Sequence, residues 1–317
     1  MTTASAARLD PVEDAVRVRD APAAHDHGRA RHPDRTGFVE RDGVWSFYEV
    51  YGTGDTTVLL MPTWSIIHSR HWKLQIPYLA RSWRVITFDG RGNGRSDRPS
   101  DPEAYREEEF AADALAVMDA TATPRAVLVS LSRGAERSLL LAADHPERVE
   151  KIAFIAPSLP VTPAVPRSRA REEFHEPHDT YGGWGKFNRH YWVEHYDDFL
   201  DFFFSQCLTE PHSTKPFDDT VGWGRETDAT TLVASQLAPR LQDEADVRAL
   251  LSRIDCPILV IHGSDDHVRP WRSGARFAEL ANGRLAVLDG SGHLPHARDP
   301  VKVNLLLRDF IAEGRTA

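Results

Sequence analysis

Cysteine is nearly absent. The 317 residues contain two, Cys207 and Cys256. Two isolated thiols cannot supply a disulfide framework, and they stand at no metal-ligand spacing, so a stapled secreted scaffold and a thiolate metal site are both excluded. They read as inert core residues of a chain in a reducing, cytoplasmic compartment. Long apolar runs are also missing. No stretch of about 18 apolar residues occurs, so no spanning helix and no membrane partner is expected. Met1–Asp20 mixes Asp, Glu and Arg without an apolar centre, and is not read as a signal peptide. Positive charge is short as well. With 38 Lys and Arg against 47 Asp and Glu, the formal net charge is −9, which speaks against nucleic acid as a partner. What is present is an ordinary globular composition, 41% hydrophobic and 27% charged, enough to bury a large core.

Residues 1–36 are rich in Ala, Arg, Asp and His and show no apolar periodicity. They are expected to form a disordered, mobile tail, with His25, His27 and His32 solvated in it. From residue 37 the pattern changes. Gly37–Asp42 and Val44–Tyr51 read as a hairpin around Asp42-Gly43, a strong turn signal. Short apolar runs follow at Thr57–Met61, Arg84–Phe88, Ala126–Val129, Lys151–Ala156, Pro257–His262 and Arg284–Leu288. Between them lie helical patterns, among them Ala111–Ala120, Arg133–Ala143 and Val301–Ile311. Such alternation predicts βαβ units, a mostly parallel sheet and helices on both faces. Ligands then bind at the carboxyl ends of the strands.

The alternation stops between residues 159 and 245. This stretch is rich in Trp, Tyr, Phe, His and Asp and reads as a helical insertion. Within it, Phe187–Gln206 has the spacing of one amphipathic helix, with Tyr191, His195, Phe199, Phe202 and Phe203 on one face. That stripe can pack onto the core, roof a pocket, or do both. The division is therefore a core over 37–158 and 246–317, with the insertion over 159–245.

Three post-strand loops carry reactive groups. Ser130-Leu131-Ser132-Arg133-Gly134 joins an apolar run to a helix. A free serine hydroxyl barely ionises at neutral pH and needs a base. A sharp strand-to-helix turn exposes it at the positive end of a helix, and the strain of that turn requires small residues two positions to either side. Ser130 and Gly134 meet that need around Ser132, whereas Leu128 disqualifies Ser130 itself. Gly263-Ser264-Asp265-Asp266 follows the next-to-last strand and offers two carboxylates. Gly290-Ser291-Gly292-His293 follows the last. The chain order Ser, Asp, His, each after its own strand, is that of nucleophile, orienting acid and base.

On these pieces, and on Asp89-Gly90-Arg91-Gly92-Asn93-Gly94-Arg95-Ser96, the chain resembles the α/β-hydrolase superfamily over about residues 37–317. The resemblance implies an α/β-hydrolase fold with a helical lid inserted after strand six, here residues 159–245. It implies a triad of Ser132, His293 and Asp266, the acid lying two residues past Gly263-Ser264 by the family's Gly-x-x-Asp spacing. It gives Asp89 and Arg91 a structural role. By position, the backbone N–H groups of Trp64 and Arg133 form the oxyanion hole. Two departures occur: Ser130 stands where the family has Gly, and Pro62-Thr63-Trp64-Ser65 replaces the family's His-Gly loop. The segments His68-Ser69-Arg70-His71-Trp72-Lys73 and Phe187-Asn188-Arg189-His190-Tyr191-Trp192 are similar to hydrolase-like domains of some actinobacterial cyclases and regulators, which implies no particular substrate.

The expected activity is serine hydrolysis of an ester, lactone or thioester of a small, bulky apolar or aromatic molecule. An acyl transferase or peracid-forming enzyme, an aminopeptidase and a non-catalytic small-molecule receptor are the alternatives. Substrate contacts are expected from His68, Trp192, Phe203 and Trp223. His296 stands three residues past His293, but no Cys or carboxylate pattern accompanies it. No metal and no cofactor are expected. The partners expected are a small-molecule substrate and, at most, a second copy in a homodimer.

Overall fold

A computed structural model describes residues 17–20, 31–162, 173–211 and 214–314. The strands are β1 (Arg17–Asp20), β2 (Arg35–Arg41), β3 (Val44–Tyr51), β4 (Thr57–Leu60), β5 (Arg84–Phe88), β6 (Ala126–Leu131), β7 (Val149–Ile155), β8 (Ile258–Gly263) and β9 (Arg284–Leu288). They form one sheet in the order β1-β2-β3-β5-β4-β6-β7-β8-β9. The pairs from β5 through β9 are parallel, and those from β1 to β5 are antiparallel. The hairpin turns at Asp42 and Gly43, both at positive φ (53° and 77°), as its Asp-Gly dipeptide requires.

Alternation along the central strands sorts side chains into two cores. Val58, Leu60, Val127, Val129, Ala153 and Ile155 face one layer, which also holds the aromatic residues of the insertion. Leu59, Met61, Leu128, Ile152 and Phe154 face the other. That second layer is covered by α1 (Glu107–Ala120) and α2 (Gly134–Asp144). Both faces being buried, the strands read as continuous apolar runs.

The insertion between β7 and β8 contains α3 (Arg189–Glu194), α4 (Tyr196–Cys207), α5 (Lys215–Gly224), α6 (Ala229–Leu237) and α7 (Glu244–Leu251). Val247 and Leu250 of α7 belong to the second core layer, as do Leu159 and Val161. The insertion thus departs from the core after Val161 and returns by α7. Past β8 come α8 (Trp271–Leu280) and the closing α9 (Pro300–Ala312). Among the described residues, no helix is long and apolar enough to cross a membrane.

Two expectations need correction. Phe187–Gln206 is not one helix. His195 leaves helical geometry (φ −135°, ψ 45°) and separates α3 from α4. The break re-sets the register, so Trp192, Phe199, Leu200, Phe203, Phe204 and Cys207 turn inward while His195 is exposed.

Residues 1–36 are not all tail. Arg17–Asp20 pairs with β2 as an edge strand, and β2 starts at Arg35. All four β1 side chains are exposed, so backbone pairing rather than apolar burial holds the strand, and periodicity could not reveal it. Arg19 lies over the Trp45 ring at 4.2 Å. Arg31 donates to the Ala80 carbonyl and Arg35 to Tyr48 Oη. His25 and His27 lie outside the described residues. A chain starting at Arg31 should keep its Tm within a few degrees. One starting at Gly37, which cuts into β2, should melt well below it, because two strand residues and both Arg contacts go. Equal melting temperatures would show that β2 does not need its first residues.

Candidate active site

The turn after β6 places Ser132. Its φ is 52°, a left-handed value that a non-glycine residue rarely adopts. Three backbone bonds hold it there: Ser132 N–H to Ile155 O (3.0 Å), and Ala135 and Ser158 N–H to Ser132 O (3.1 and 3.0 Å). The reason for small flanking residues is visible. A Cβ on Gly134 would lie 2.8 Å from Pro62 O and 3.2 Å from Ser130 Cβ. Ser130 fits in place of glycine because its partner across the turn has no side chain. Ser132 alone is partly exposed within the otherwise buried run from Ala126 to Ala143. Its hydroxyl is therefore the reachable group on a rigid elbow.

The loops after β8 and β9 bring up the other two groups. His293 Nε2 lies 2.9 Å from Ser132 Oγ, and His293 Nδ1 lies 2.7 Å from Asp266 Oδ2. Asp266 Oδ1 accepts from the N–H groups of Val268 (2.8 Å) and Arg269 (2.7 Å). Its Oδ2 is also 3.0 Å from His262 Nε2, which in turn is 2.9 Å from Arg269 O. Two acceptors around His262 Nε2 mean that this nitrogen carries a proton and donates. Asp266 thus faces four donors. Burial alone would raise its carboxyl, but His293 and His262 hold it well below the usual range. An ionised Asp266 makes His293 Nδ1 the protonated nitrogen and leaves the Nε2 lone pair toward Ser132. Asp265 turns outward, half-exposed, to His267.

Trp64, in the loop after β4, and Arg133, directly after Ser132, are both buried. Among the described residues, no protein acceptor takes either backbone N–H. The Trp64 side chain is held by the insertion. Its Nε1 donates to Ser235 Oγ of α6 (3.1 Å), and its ring packs on Trp192 (5.8 Å) and Phe203 (5.3 Å). Trp192 and Phe203 thus form a buried aromatic wall against Trp64. His68 and Trp223 meet each other instead, edge to face at 6.1 Å. His68 Nε2 also faces Glu226 at 3.3 Å. Both tie the loop after β4 to α5, and among the described residues no ring or hydrogen-bond contact joins them to Ser132, His293 or Asp266.

His296 pairs with His71, Nε2 to Nδ1 at 3.1 Å, in the core. Burial pushes both imidazoles down, His296 to about 3 with help from His293, so the pair is neutral. Asp89 accepts from Ser69 and Arg95 N–H, and Arg91 forks onto Asp113 (2.6 and 2.8 Å). Both are structural.

Several contributors were not foreseen. His262 precedes Gly263 directly, and its place at the end of the acid-bearing strand was the available signal. The insertion also grips the His293 loop: His293 N–H donates to Cys207 O (2.8 Å) and Gly292 N–H to Glu210 Oε1 (3.0 Å). Beneath the elbow, Glu107 takes both Arg133 (2.6 Å) and Arg137 (2.6 Å) in the buried core. Burial would raise the Glu107 carboxyl, but Arg133, Arg137 and Arg240 hold it down to about 2. A carboxyl depressed by folding stabilises above its unfolded pKa, about 4.3, and loses that contribution as pH falls toward 2. The Tm of the chain should therefore drop between about pH 4.3 and 2. Glu107→Gln should be less stable at pH 7 and show a flatter acid slope. Thermal melts across that range check it, and an unaltered slope would assign acid unfolding to other carboxylates.

The sequence pattern of a family described as the alpha/beta hydrolase fold matches residues 56–300. The chain is 31% identical over 244 residues to a pimeloyl-[acyl-carrier protein] methyl ester esterase of Neisseria meningitidis, covering 74% of this chain and 86% of that one. It is 26% identical over 253 residues to a 2-hydroxymuconate semialdehyde hydrolase of a Pseudomonas species, covering 78% and 83%. A bromoperoxidase of Bacillus anthracis has a similar fold, with a TM-score of 0.72 at 23% identity over 85% of this chain and 96% of that one.

Proposed function

This chain belongs to the α/β-hydrolase family, and from that premise we propose that it is a serine hydrolase of an ester, lactone or thioester. The observation that carries the reading is the hydrogen-bonded chain Ser132–His293–Asp266, at 2.9 and 2.7 Å, with Ser132 on a strained elbow. His293 Nε2 takes the hydroxyl proton as Ser132 Oγ attacks the acyl carbonyl. Asp266 keeps the base in the productive tautomer and stabilises the imidazolium. The backbone N–H groups of Trp64 and Arg133 receive the oxyanion. Collapse passes the proton from His293 to the leaving alcohol or thiol and leaves Ser132 acylated. Water, deprotonated by His293, then releases the acid.

The helical insertion acts as a lid. Trp192 and Phe203, packed on Trp64, supply an apolar wall that suits a bulky apolar or aromatic substrate. His68 and Trp223 hold the lid to the loop after β4. Phe203→Leu should then re-order the kcat/KM ranking over a panel of aliphatic and aromatic esters. An equal fall for all substrates would make the wall purely structural.

Turnover of an activated ester with a burst of one alcohol per chain tests the reaction class. Many turnovers per chain exclude a receptor. Partition of the acyl group between water and added alcohol or peroxide separates hydrolysis from acyl transfer.

A further inference from the structure

The ion cluster under the elbow touches backbone as well as charge. Arg137 is fully buried in α2. Its Nε donates to Glu107 Oε2 (2.6 Å), and its Nη1 donates to the carbonyl of Thr63 at 2.5 Å and to that of Pro62 at 3.3 Å. Thr63 O belongs to the peptide whose N–H is that of Trp64. In a trans peptide the C=O and the N–H point in opposite directions. A guanidinium that holds the carbonyl therefore also sets the direction of the Trp64 N–H, away from the guanidinium. The second donor is anchored by the same carboxylate. Arg133 directs Nε and Nη2 to Glu107 Oε1 (2.9 and 2.6 Å) and also reaches Ser235 O at 3.3 Å. Ser235 Oγ in turn receives the Trp64 indole.

Holding helices together does not require this arrangement. Burying ions carries a desolvation penalty, and a well-packed apolar cluster would do as well or better. What the guanidinium forks add is direction: rigid donors aimed at chosen carbonyl groups. Directional fixing matters most where a backbone N–H must meet a transition-state charge without reorganisation.

We propose that Arg137, braced by Glu107, is a positioning residue for the oxyanion hole: it orients the Thr63–Trp64 peptide, while Arg133, held by the same carboxylate, fixes the second donor. The proposal rests on the reading of Trp64 and Arg133 as oxyanion donors. It assigns to α1, which carries no reacting group, the part of setting transition-state binding through Glu107.

The decisive variant is Arg137→Lys. An ammonium can keep the ion pair with Glu107, but it lacks the fork that serves Glu107 and Thr63 O together. It should fold with a Tm close to that of the parent. Loss of a whole oxyanion donor costs about 10²–10³ in kcat. Misdirection of one should cost about 10–100-fold in kcat, with KM within about threefold. Affinity for phenylboronic acid, which forms a tetrahedral adduct on a serine, should fall by the same factor as kcat/KM. Arg137→Gln should show a larger loss of the same pattern, and where it fails to fold the Lys variant decides alone. Unchanged kcat and boronate affinity in Arg137→Lys would overturn the proposal. So would a rise in KM alone, which would mark a general packing role. The parent enzyme is the control. If it neither turns over an activated ester nor binds the boronate, the hydrolase reading itself has failed, and the result is distinct from a silent Arg137 variant.

Discussion

Ser132→Ala is expected to lower kcat by roughly 10³ or more while leaving Tm nearly unchanged. The size follows from the geometry. Among the described residues, only the Ser132 hydroxyl sits within hydrogen-bond reach of His293 Nε2, at 2.9 Å, on a turn that leaves it partly exposed. Without the oxygen no acyl-enzyme can form, and what remains is the catalysis that oxyanion donors and binding give to direct attack by water. The Oγ makes no other hydrogen bond among the described residues, and the elbow is held by backbone bonds that alanine retains. Alanine also tolerates the left-handed φ about as well as serine does. Stopped assays on an activated ester, together with a thermal melt, check both halves. A variant with more than a tenth of the parent rate would remove Ser132 as nucleophile.

Asp266→Asn should cost up to about 10⁴ in kcat, while Asp265→Asn retains most activity. The two carboxylates are neighbours in sequence and opposites in setting. Asp265 is half-exposed and, among the described residues, its side chain bonds only His267. Asp266 is buried, accepts Val268 and Arg269 N–H on one oxygen and faces two imidazoles with the other. An Asn at 266 can keep Oδ1 on the two backbone donors. Its amide NH₂ then confronts His293 Nδ1–H, and the imidazole relieves the clash by moving its proton to Nε2. That nitrogen would then donate to Ser132 rather than accept from it, so the base is lost. His262 meets the same amide, so some stability is lost too, but a folded population still assays as nearly inactive. Kinetics of both variants with their melts decide the matter. If Asp265→Asn were the inactive one, the acid would be Asp265, and two mild effects would place it on another loop.

Much of this was legible because the chemistry is written in local patterns. The hairpin followed from Asp42-Gly43, which needs two positive φ values in a row. The elbow followed from the small Ser130 and Gly134, whose close approach the structure displays. The order Ser132, Asp266, His293 followed from strand ends, since a parallel sheet delivers all such loops to one edge. What was not legible shares one property: its partners are far apart in the chain. Glu107 looks like one of three acidic residues in a solvated first turn, and only the fold buries it between Arg133 and Arg137. His262 reads as the last residue of an apolar run until Asp266 folds back on it. β1 has no buried side chain, so no periodicity could reveal it. The break at His195 was hidden because a run of aromatic residues keeps a helical spacing on either side.

The most direct test of the account is labelling with a fluorophosphonate, which phosphonylates an activated serine. The intact chain should take up one equivalent. Peptide mapping should place it on Ser132, and both Ser132→Ala and Asp266→Asn should abolish or greatly slow the reaction. Attachment at Ser130 or at another residue, or no attachment to a chain that melts cooperatively, would contradict the assignment of Ser132 as a nucleophile activated by His293 and Asp266.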